Sequence, residues 1–510
     1  MRHSQGSGLV FARIQGNLVS SSRRCGMGHE WRHLGRLLML VSAVWVVGAA
    51  APVAAQTGAD RAVTFNKDIA PILQRSCQNC HRPDSIAPMS LLTYQQARPY
   101  ARAIKQRTSL RDTAGSRGVM PPWFIEKNIG IQKFKEDISL SDEEIAKIAK
   151  WADSGAPEGN PADLPPTRAF ADSTAWFLGK PDLIVSSPKV PVKGVGSDWW
   201  GPIGDTATGL TEDRHAKAVE VREGSDLKKG VLKSNASTGT YAGQGKTALV
   251  VFHHANVNVL TAPGLQDGQG GGNLTLHEVG RNGDVFLPEA GKSVPAGSAI
   301  TFNAHVHSPG VPGADRNAWL EVGLHLHPKG YVPKYREGSI QMASTELMIR
   351  PDSDNQRYDG YWVAPQPVRL LNYEPHLHAT GIRMCMEAIY QRSIETLNCA
   401  GYDHNWVKNY QYDENAAPLL PKGTILHIIA WFDGTAKNPN IIEPRNATVW
   451  GRRSVANMFG VENRAIFLTD EQYLEELAKR REHLKLTPGS SMIGCPGCMD
   501  APQTPATASQ

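Results

Sequence analysis

At 510 residues, with 41% hydrophobic and 20% charged side chains, the chain is too apolar for a disordered protein and long enough for roughly three domains of ~150 residues. The formal net charge of +5 is small for this length, and much of it sits in Arg2, Arg13, Arg23, Arg24, Arg32 and Arg36 near the N-terminus. No basic patch is interleaved with aromatic residues, so a nucleic-acid partner is excluded from the expectations.

Those arginines precede "LLMLVSAVWVVGAAAPVAAQ", an apolar run followed by small residues. This is the order of a secretory signal over residues 1–55: a charged region, an apolar stretch, then Val53-Ala54-Ala55 before Gln56. Met27 is a second candidate start, and a membrane anchor is the alternative if the run stays uncleaved. No second apolar stretch approaches that length, so the body of the chain is expected to be periplasmic or secreted. An oxidising compartment permits disulfides, which bears on the seven cysteines. Cys25 lies in the signal region. The others fall into the pairs Cys77/Cys80, Cys385/Cys399 and Cys495/Cys498.

Residues 56–160 read as a small all-α cytochrome c-like domain. "FNKDIAPILQRS" is an amphipathic helix leading into Cys77-x-x-Cys80-His81, the pattern of covalent c-type haem attachment. Both thiols would join the haem vinyl groups, and His81 would be one axial ligand. The expected second ligand is Met120 in "GVMPPWF", whose two prolines fix the loop; Met89 in "APMSLL" is the competitor. A Met/His pair raises the reduction potential relative to bis-imidazole or thiolate ligation, which suits electron transfer. "SDEEIAKIAKWADSGAP" is a helix with Ser141 as N-cap, Glu144 completing a capping box and Gly155 at its stop. A Pro-rich linker occupies 161–175.

From Trp176 the pattern changes to short β-rich runs broken by Gly, Pro and Asn, as in "KTALVVFHHANVNVL", "SAITFNAHVHSPG", "NAWLEVGLHLHP" and "GTILHIIAWFDG". Such runs predict antiparallel β-sandwiches. Histidines concentrate here. His305/His307, His325/His327 and His376/His378 are i, i+2 pairs, which on a strand share one face and can chelate one ion. Imidazole suits copper, zinc and iron. His253 and His254 are adjacent instead, so a regular strand would point them to opposite faces.

The motifs "VFHHANV", "FNAHVHSPG", "LHPKGYVPKY", "PHLHATGIRMCMEAIY", "PLLPKGTILHIIAWFDGTAKNPN" and "VWGRRSVANMFG" resemble the copper type II, ascorbate-dependent monooxygenases of the peptidylglycine α-hydroxylating and dopamine β-monooxygenase class. The likeness is nearest to bacterial members with a fused cytochrome c domain and covers about residues 176–468. It implies two jelly-roll-like β-sandwich domains, 176–347 and 348–468, each holding one copper across an open cleft. One copper would take His253, His254 and His305, with His307 as the alternative third ligand. The other would take His376, His378 and Met458, and a soft thioether there stabilises Cu(I) and leaves a position open for dioxygen.

Two adjacent histidines can serve one ion only if the strand is distorted or ending there, with at least one ring coordinating through Nδ1. His325, His327, His277, His404 and His427 are read as hydrogen-bonded core or surface residues. Cys385 and Cys399 lie symmetrically about Arg392, so a hairpin would set them opposite each other for a cross-strand disulfide. "TDEQYLEELAKRREHL" is a surface helix. It opens the 469–510 tail, where Cys495 and Cys498 form a local disulfide or an accessory metal site.

The expected protein is thus multidomain, all-α then all-β, and binds haem c and two copper ions. It would hydroxylate a C–H bond of an organic substrate with O2, taking electrons from an ascorbate-like reductant or a redox protein. The same metals allow a non-enzymatic periplasmic electron-transfer or copper-binding protein. Thiol–disulfide exchange is disfavoured, because haem attachment would consume Cys77 and Cys80.

Overall fold

The computed structural model describes residues 62–498, apart from 84, 86, 88, 111–118, 171–175, 228–250, 262–271, 279–280, 282, 405, 452–454, 488 and 491. The expected signal region, with Cys25, Met27 and Gln56, lies outside the described residues. Residues from Arg61 onward form one compact unit. No helix among the described residues is long and apolar enough to cross a membrane.

Antiparallel β-sheet is the main regular structure of this unit, in two sandwich-like pairs. In the first pair, a sheet ordered Leu183–Ser186, Arg316–Leu326, Arg214–Ser225 and Gly283–Val285 is extended by Val190–Val192 and Lys292–Val294. Its companion runs Trp199–Ala207, Ala299–Val306, Phe252–Leu260 and Gly272–Glu278. Phe252, Val257, Phe302, Leu320 and Val322 fill the space around them, as alternating inward residues of sandwich strands should. In the second pair, Gln356–Val363, Ile425–Phe432, Gly381–Tyr390 and Ser393–Gly401 form one sheet. Arg336–Ala343, Phe459–Phe467, Val368–Leu370 and Leu419–Leu420 form the other, with Pro375–Leu377 added beside Phe459–Phe467. Arg336–Ala343 therefore pairs with the second half of the chain, so sheet pairing changes hands before residue 336 rather than at 347.

The expected all-α cytochrome domain is not present. Helix makes up 16% of the structure against 38% strand. The segment holds three helices of seven to twelve residues, Ala70–Ser76, Ala101–Ser109 and Asp142–Asp153, with short turns beside them. Their local signals read correctly: Ser141 and Glu144 form the capping box, and Gly155 takes a left-handed φ of 84° just past the end. Phe65, Ile69, Leu73, Ile148 and Trp151 gather into a small core of their own.

The stretch between the last two helices overturns the separate domain, because it belongs to the sheets. Ile125 and Ile131 are buried in the second sandwich core. The Ile131 carbonyl accepts from Asn398 Nδ2 at 2.7 Å, and Arg383 pairs with Glu126 at 2.5 Å. Trp123 and Phe134 pack edge-on against Tyr410, and Phe134 stacks on Tyr412. An apolar stretch of this kind carries no periodicity that shows which partner will cover it.

The hairpin around Arg392 has a two-residue turn between Tyr390 and Ser393, which alone would set Cys385 opposite Asn398. A bulge leaves Leu397 without a counterpart and moves the register by one, so Cys385 faces Cys399 and the two are disulfide-bonded. Cys495 and Cys498 are also disulfide-bonded. They are buried with Tyr473 and Leu477 of the helix Asp470–Leu484, so the tail is tucked under that helix.

Candidate metal centre

The strand Phe252–Leu260 runs beside Ala299–Val306, with Phe252 opposite Val306 and His254 opposite His305. His253 is the extra residue of a bulge between them. One extra residue re-aims a side chain across the pleat, and here it brings both adjacent imidazoles to one side. The ring centres of His253, His254 and His305 lie 5.3, 5.3 and 5.1 Å apart in pairs. Two imidazoles on one ion, each bound at about 2.0–2.1 Å with tetrahedral angles, have ring centres about 5 Å apart. One potential ligand atom from each residue lies within 4.8 Å of those of the other two.

Donor chemistry fits as well. His305 Nε2 lies 2.8 Å from Asp198 Oδ2, which holds that nitrogen as the N–H donor and turns the Nδ1 lone pair inward. The buried Nδ1 atoms of His253 and His305 have no hydrogen-bond partner among the described residues. Burial, then the neighbouring histidines, pushes His253 down to about 3 and His254 well below the usual imidazole range, so both are neutral, as ligation requires. His307 is set further out, 6.2 Å from His253 between ring centres.

The second set starts on Pro375–Leu377. This strand pairs with Phe459–Phe467 through His376 opposite Gly460 and Leu377 opposite Phe459, and the ladder ends there, one residue short of His378 and Met458. The His376 and His378 ring centres are 5.8 Å apart. His378 Nδ1 faces the Ala456 carbonyl at 3.2 Å and His376 Nδ1 faces Glu278 at 3.4 Å, leaving Nε2 of each as the ligand atom. Burial opposes charge on both rings. It takes His378 to about 3, whereas the Glu278 carboxylate outweighs it at His376 and shifts that ring upward.

The two sets are not separated by an open cleft. The rings of His254 and His376 are 5.7 Å apart, which makes one continuous cluster. A buried charge network seams the two sandwiches beside it: Arg281 binds Glu374 at 2.5 Å and Asp284 at 2.9 Å, and Arg464 binds Asp284 at 3.3 Å and Glu337 at 2.7 Å.

Of the histidines expected to be structural, His427 lies between Asp359 and Glu387, and His277 faces Glu223. His327 stacks on Tyr331 and faces the Ala290 carbonyl just past the strand Arg316–Leu326, on which His325 is buried. His404 differs. Its ring centre lies 5.4 Å from His253 and 5.3 Å from His378, inside the cluster. Its sequence neighbourhood, "YDHNW", has no second histidine at ligand spacing, so no local signal could have singled it out.

At the haem motif, Cys77 and Cys80 are free thiols at the end of Ala70–Ser76. His81 is 8% exposed and its Nδ1 faces the Met89 carbonyl at 3.3 Å, leaving Nε2 to act as the ligand atom. These residues fit covalent haem attachment. A residue bonded at Nδ1 lies behind the ring, away from the axial position, which argues against Met89 as the opposite ligand. Met120 is 38% exposed and lines a cleft of about 560 Å3 with Trp123, Phe124, Leu140 and Ile145; Cys77, Cys80 and His81 are not among the residues lining it.

In chelator-treated protein, stability should fall as pH drops from about 6.5 toward 3. His253 and His378 bind no proton in the folded state until about pH 3, but take one up near 6.5 when unfolded. The unfolded chain therefore binds more protons throughout that window, each group costing up to about 1.4 kcal/mol per pH unit. His376, shifted the other way, offsets part of this. Urea midpoints at pH 7 and pH 5 check the prediction, and equal midpoints contradict it.

No family model and no curated protein matches the chain. Among solved structures it is similar to the VP2 subviral particle of infectious bursal disease virus, at 9% identity over 57% of this chain and 72% of that one, with a TM-score of 0.16. The T13 particle of the same virus matches at 8% identity over 58% and 71%, TM-score 0.16. Its derived T=1 particles match at 9% over 57% and 70%, TM-score 0.18. Superpositions this poor carry no argument about fold or function.

Proposed function

We propose that the chain is an exported copper-dependent monooxygenase that hydroxylates a C–H bond of an organic substrate with O2, fed with electrons through a c-type haem. The carrying observation is the histidine trio at a strand bulge, two of its members buried, with ligand atoms within 4.8 Å of one another. His253, His254 and His305 would hold one copper, and His376, His378 and Met458 the other. Cys77 and Cys80 would attach the haem, and His81 and Met120 would hold its iron. The bound metals supply the one-electron and dioxygen chemistry. The protein's own part is to keep His253, His254 and His378 neutral, to orient His305 through Asp198 and His376 through Glu278, and to supply one soft ligand at Met458. An ascorbate-like reductant or a redox protein is the proposed electron donor.

The contact between the two ligand sets favours a second reading, a periplasmic electron-transfer or copper-binding protein, because rings this close leave little room for a substrate between them. Oxygen uptake by the copper-loaded, reduced protein, coupled to hydroxylated product, supports the enzyme; no uptake with any candidate substrate supports the second reading. On either reading, purified protein should contain one covalent haem and two coppers per chain. Met458→Leu should lose or perturb the spectroscopic signal of one copper only, and Cys80→Ser should weaken or abolish covalent haem attachment while keeping both coppers. Metal analysis giving fewer than two coppers for the wild type contradicts the assignment.

A further inference from the structure

The strap of residues 402–412 follows Ser393–Gly401 and joins the second sandwich to the haem segment. Tyr402 donates its N–H to the Ile382 carbonyl and its hydroxyl to the Leu377 carbonyl. Val407 and Tyr410 are buried in the second sandwich core. The Tyr410 hydroxyl accepts the Phe124 N–H at 3.2 Å, and the Lys135 N–H donates to the Gln411 carbonyl at 2.8 Å. Lys408 is therefore presented to the haem segment from a fixed backbone.

Its half-buried ammonium acts on both halves of the haem motif. It lies 5.5 Å from the centre of the Trp123 ring, within cation–π range, and Trp123 stands three residues after Met120. The other neighbour is Cys80. Burial pushes that thiol up, and Lys408, ahead of Arg82, opposes the shift. Yet Lys408 has neither an ion-pair nor a hydrogen-bond partner among the described residues. Of the two carboxylates that act on it from further away, Glu374 is already bound by Arg281 and Glu136 is exposed. A cation placed so is costly, because burial disfavours the charged form. Methionine would cover Trp123 without that cost.

Haem attachment turns the Cys80 thiol into a neutral thioether, so the field of the ammonium would then fall on the haem. A nearby cation in a poorly solvated site favours the more electron-rich state of an iron centre. We propose that Lys408 is a positioning residue that sets the haem's reduction potential: a cation supplied by the second sandwich that favours the ferrous state of a haem carried on Cys77, Cys80 and His81. This rests on the haem reading above and requires neither copper. It ties the potential to docking, since the haem keeps its cation only while the strap stays against the Trp123 loop.

Redox titration of the full-length, haem-bearing protein, followed by visible absorption, tests this in wild type, Lys408→Met, Lys408→Gln and Lys408→Arg. Both neutral variants should shift the equilibrium toward the ferric state by about tenfold, which is 59 mV for one electron. Lys408→Arg keeps the charge and should stay near the wild-type potential. Covalent haem content should be the same in all four. An unchanged potential in haem-bearing Lys408→Met or Lys408→Gln protein overturns the proposal. So does a fall in Lys408→Arg as large as in the neutral variants, which would mark a packing role. Failure of the haem reading itself looks different: the wild-type chain would then retain no haem after denaturation.

Discussion

Replacing Arg281 with leucine should destabilise the protein by about 3–5 kcal/mol, the usual consequence of removing one partner from a buried ion pair. Arg281 lies between carboxylates from both sandwiches, Asp284 of the first and Glu374 of the second, and both acids are almost fully buried. Without the guanidinium, Glu374 keeps a hydrogen bond from Asn372 Nδ2 at 3.1 Å and its contact with the Glu278 carboxyl, and Asp284 keeps Arg464 and the Thr275 hydroxyl. Burial already pushes the Glu374 carboxyl well above the usual range and Arg281 opposes that shift, so a buried acid left without its partner, not the lost attraction alone, makes the change costly. Glu374 is two residues from His376, so the variant should also bind the second copper more weakly. Urea unfolding and copper titration measure both effects. Adding Glu374→Gln should recover part of the stability, because it removes the stranded charge. A loss below about 1 kcal/mol would show that the seam carries no net energy.

Deleting residues 1–158 should leave sheets that do not fold. The truncated chain would lose Ile125 and Ile131 from the second sandwich core and uncover Leu397, Tyr410 and Tyr412. Each buried isoleucine truncated to alanine costs about 2–5 kcal/mol, so the pair alone approaches the 5–15 kcal/mol that stabilises an ordinary domain. Loss of the Glu126–Arg383 ion pair and of the Asn398 contact adds to this. Size-exclusion chromatography and urea unfolding of a 159–510 fragment test the point. A monomeric fragment with a single cooperative transition would restore the picture of independent domains.

What the sequence shows and what it hides divides along the length scale of the interaction. The capping boxes at Ser141/Glu144 and Thr469/Gln472 are local, and so is the alternation that marks the strands. The adjacency of His253 and His254 was itself informative: two imidazoles cannot meet across a regular pleat, and a bulge sits at His253. The pairing of Cys385 with Cys399 follows from symmetry about Arg392, although it is reached through a turn offset by half a residue and a bulge at Leu397. Three features have no such signature. The commitment of Ile125 and Ile131 to a sheet some 270 residues onward depends on shape complementarity that periodicity does not encode. The Arg281–Glu374 seam joins single residues of ordinary spacing. His404 enters the cluster through the path of a strap, while its neighbours in sequence look like any loop.

That strap runs on toward the haem motif. Four residues after His404, the half-buried Lys408 ammonium opposes the burial that pushes the Cys80 thiol up, and it lies 5.5 Å from the centre of the Trp123 ring. Tyr402 pins one end and Tyr410 the other, the latter accepting the Phe124 N–H on its hydroxyl. At 3.3–3.6 Å per residue, four residues span at most about 14 Å. The covalent chain therefore acts as a ruler between the histidine cluster and Lys408: their separation is bounded by a count of peptide units, with Tyr402 and Tyr410 fixing the two ends.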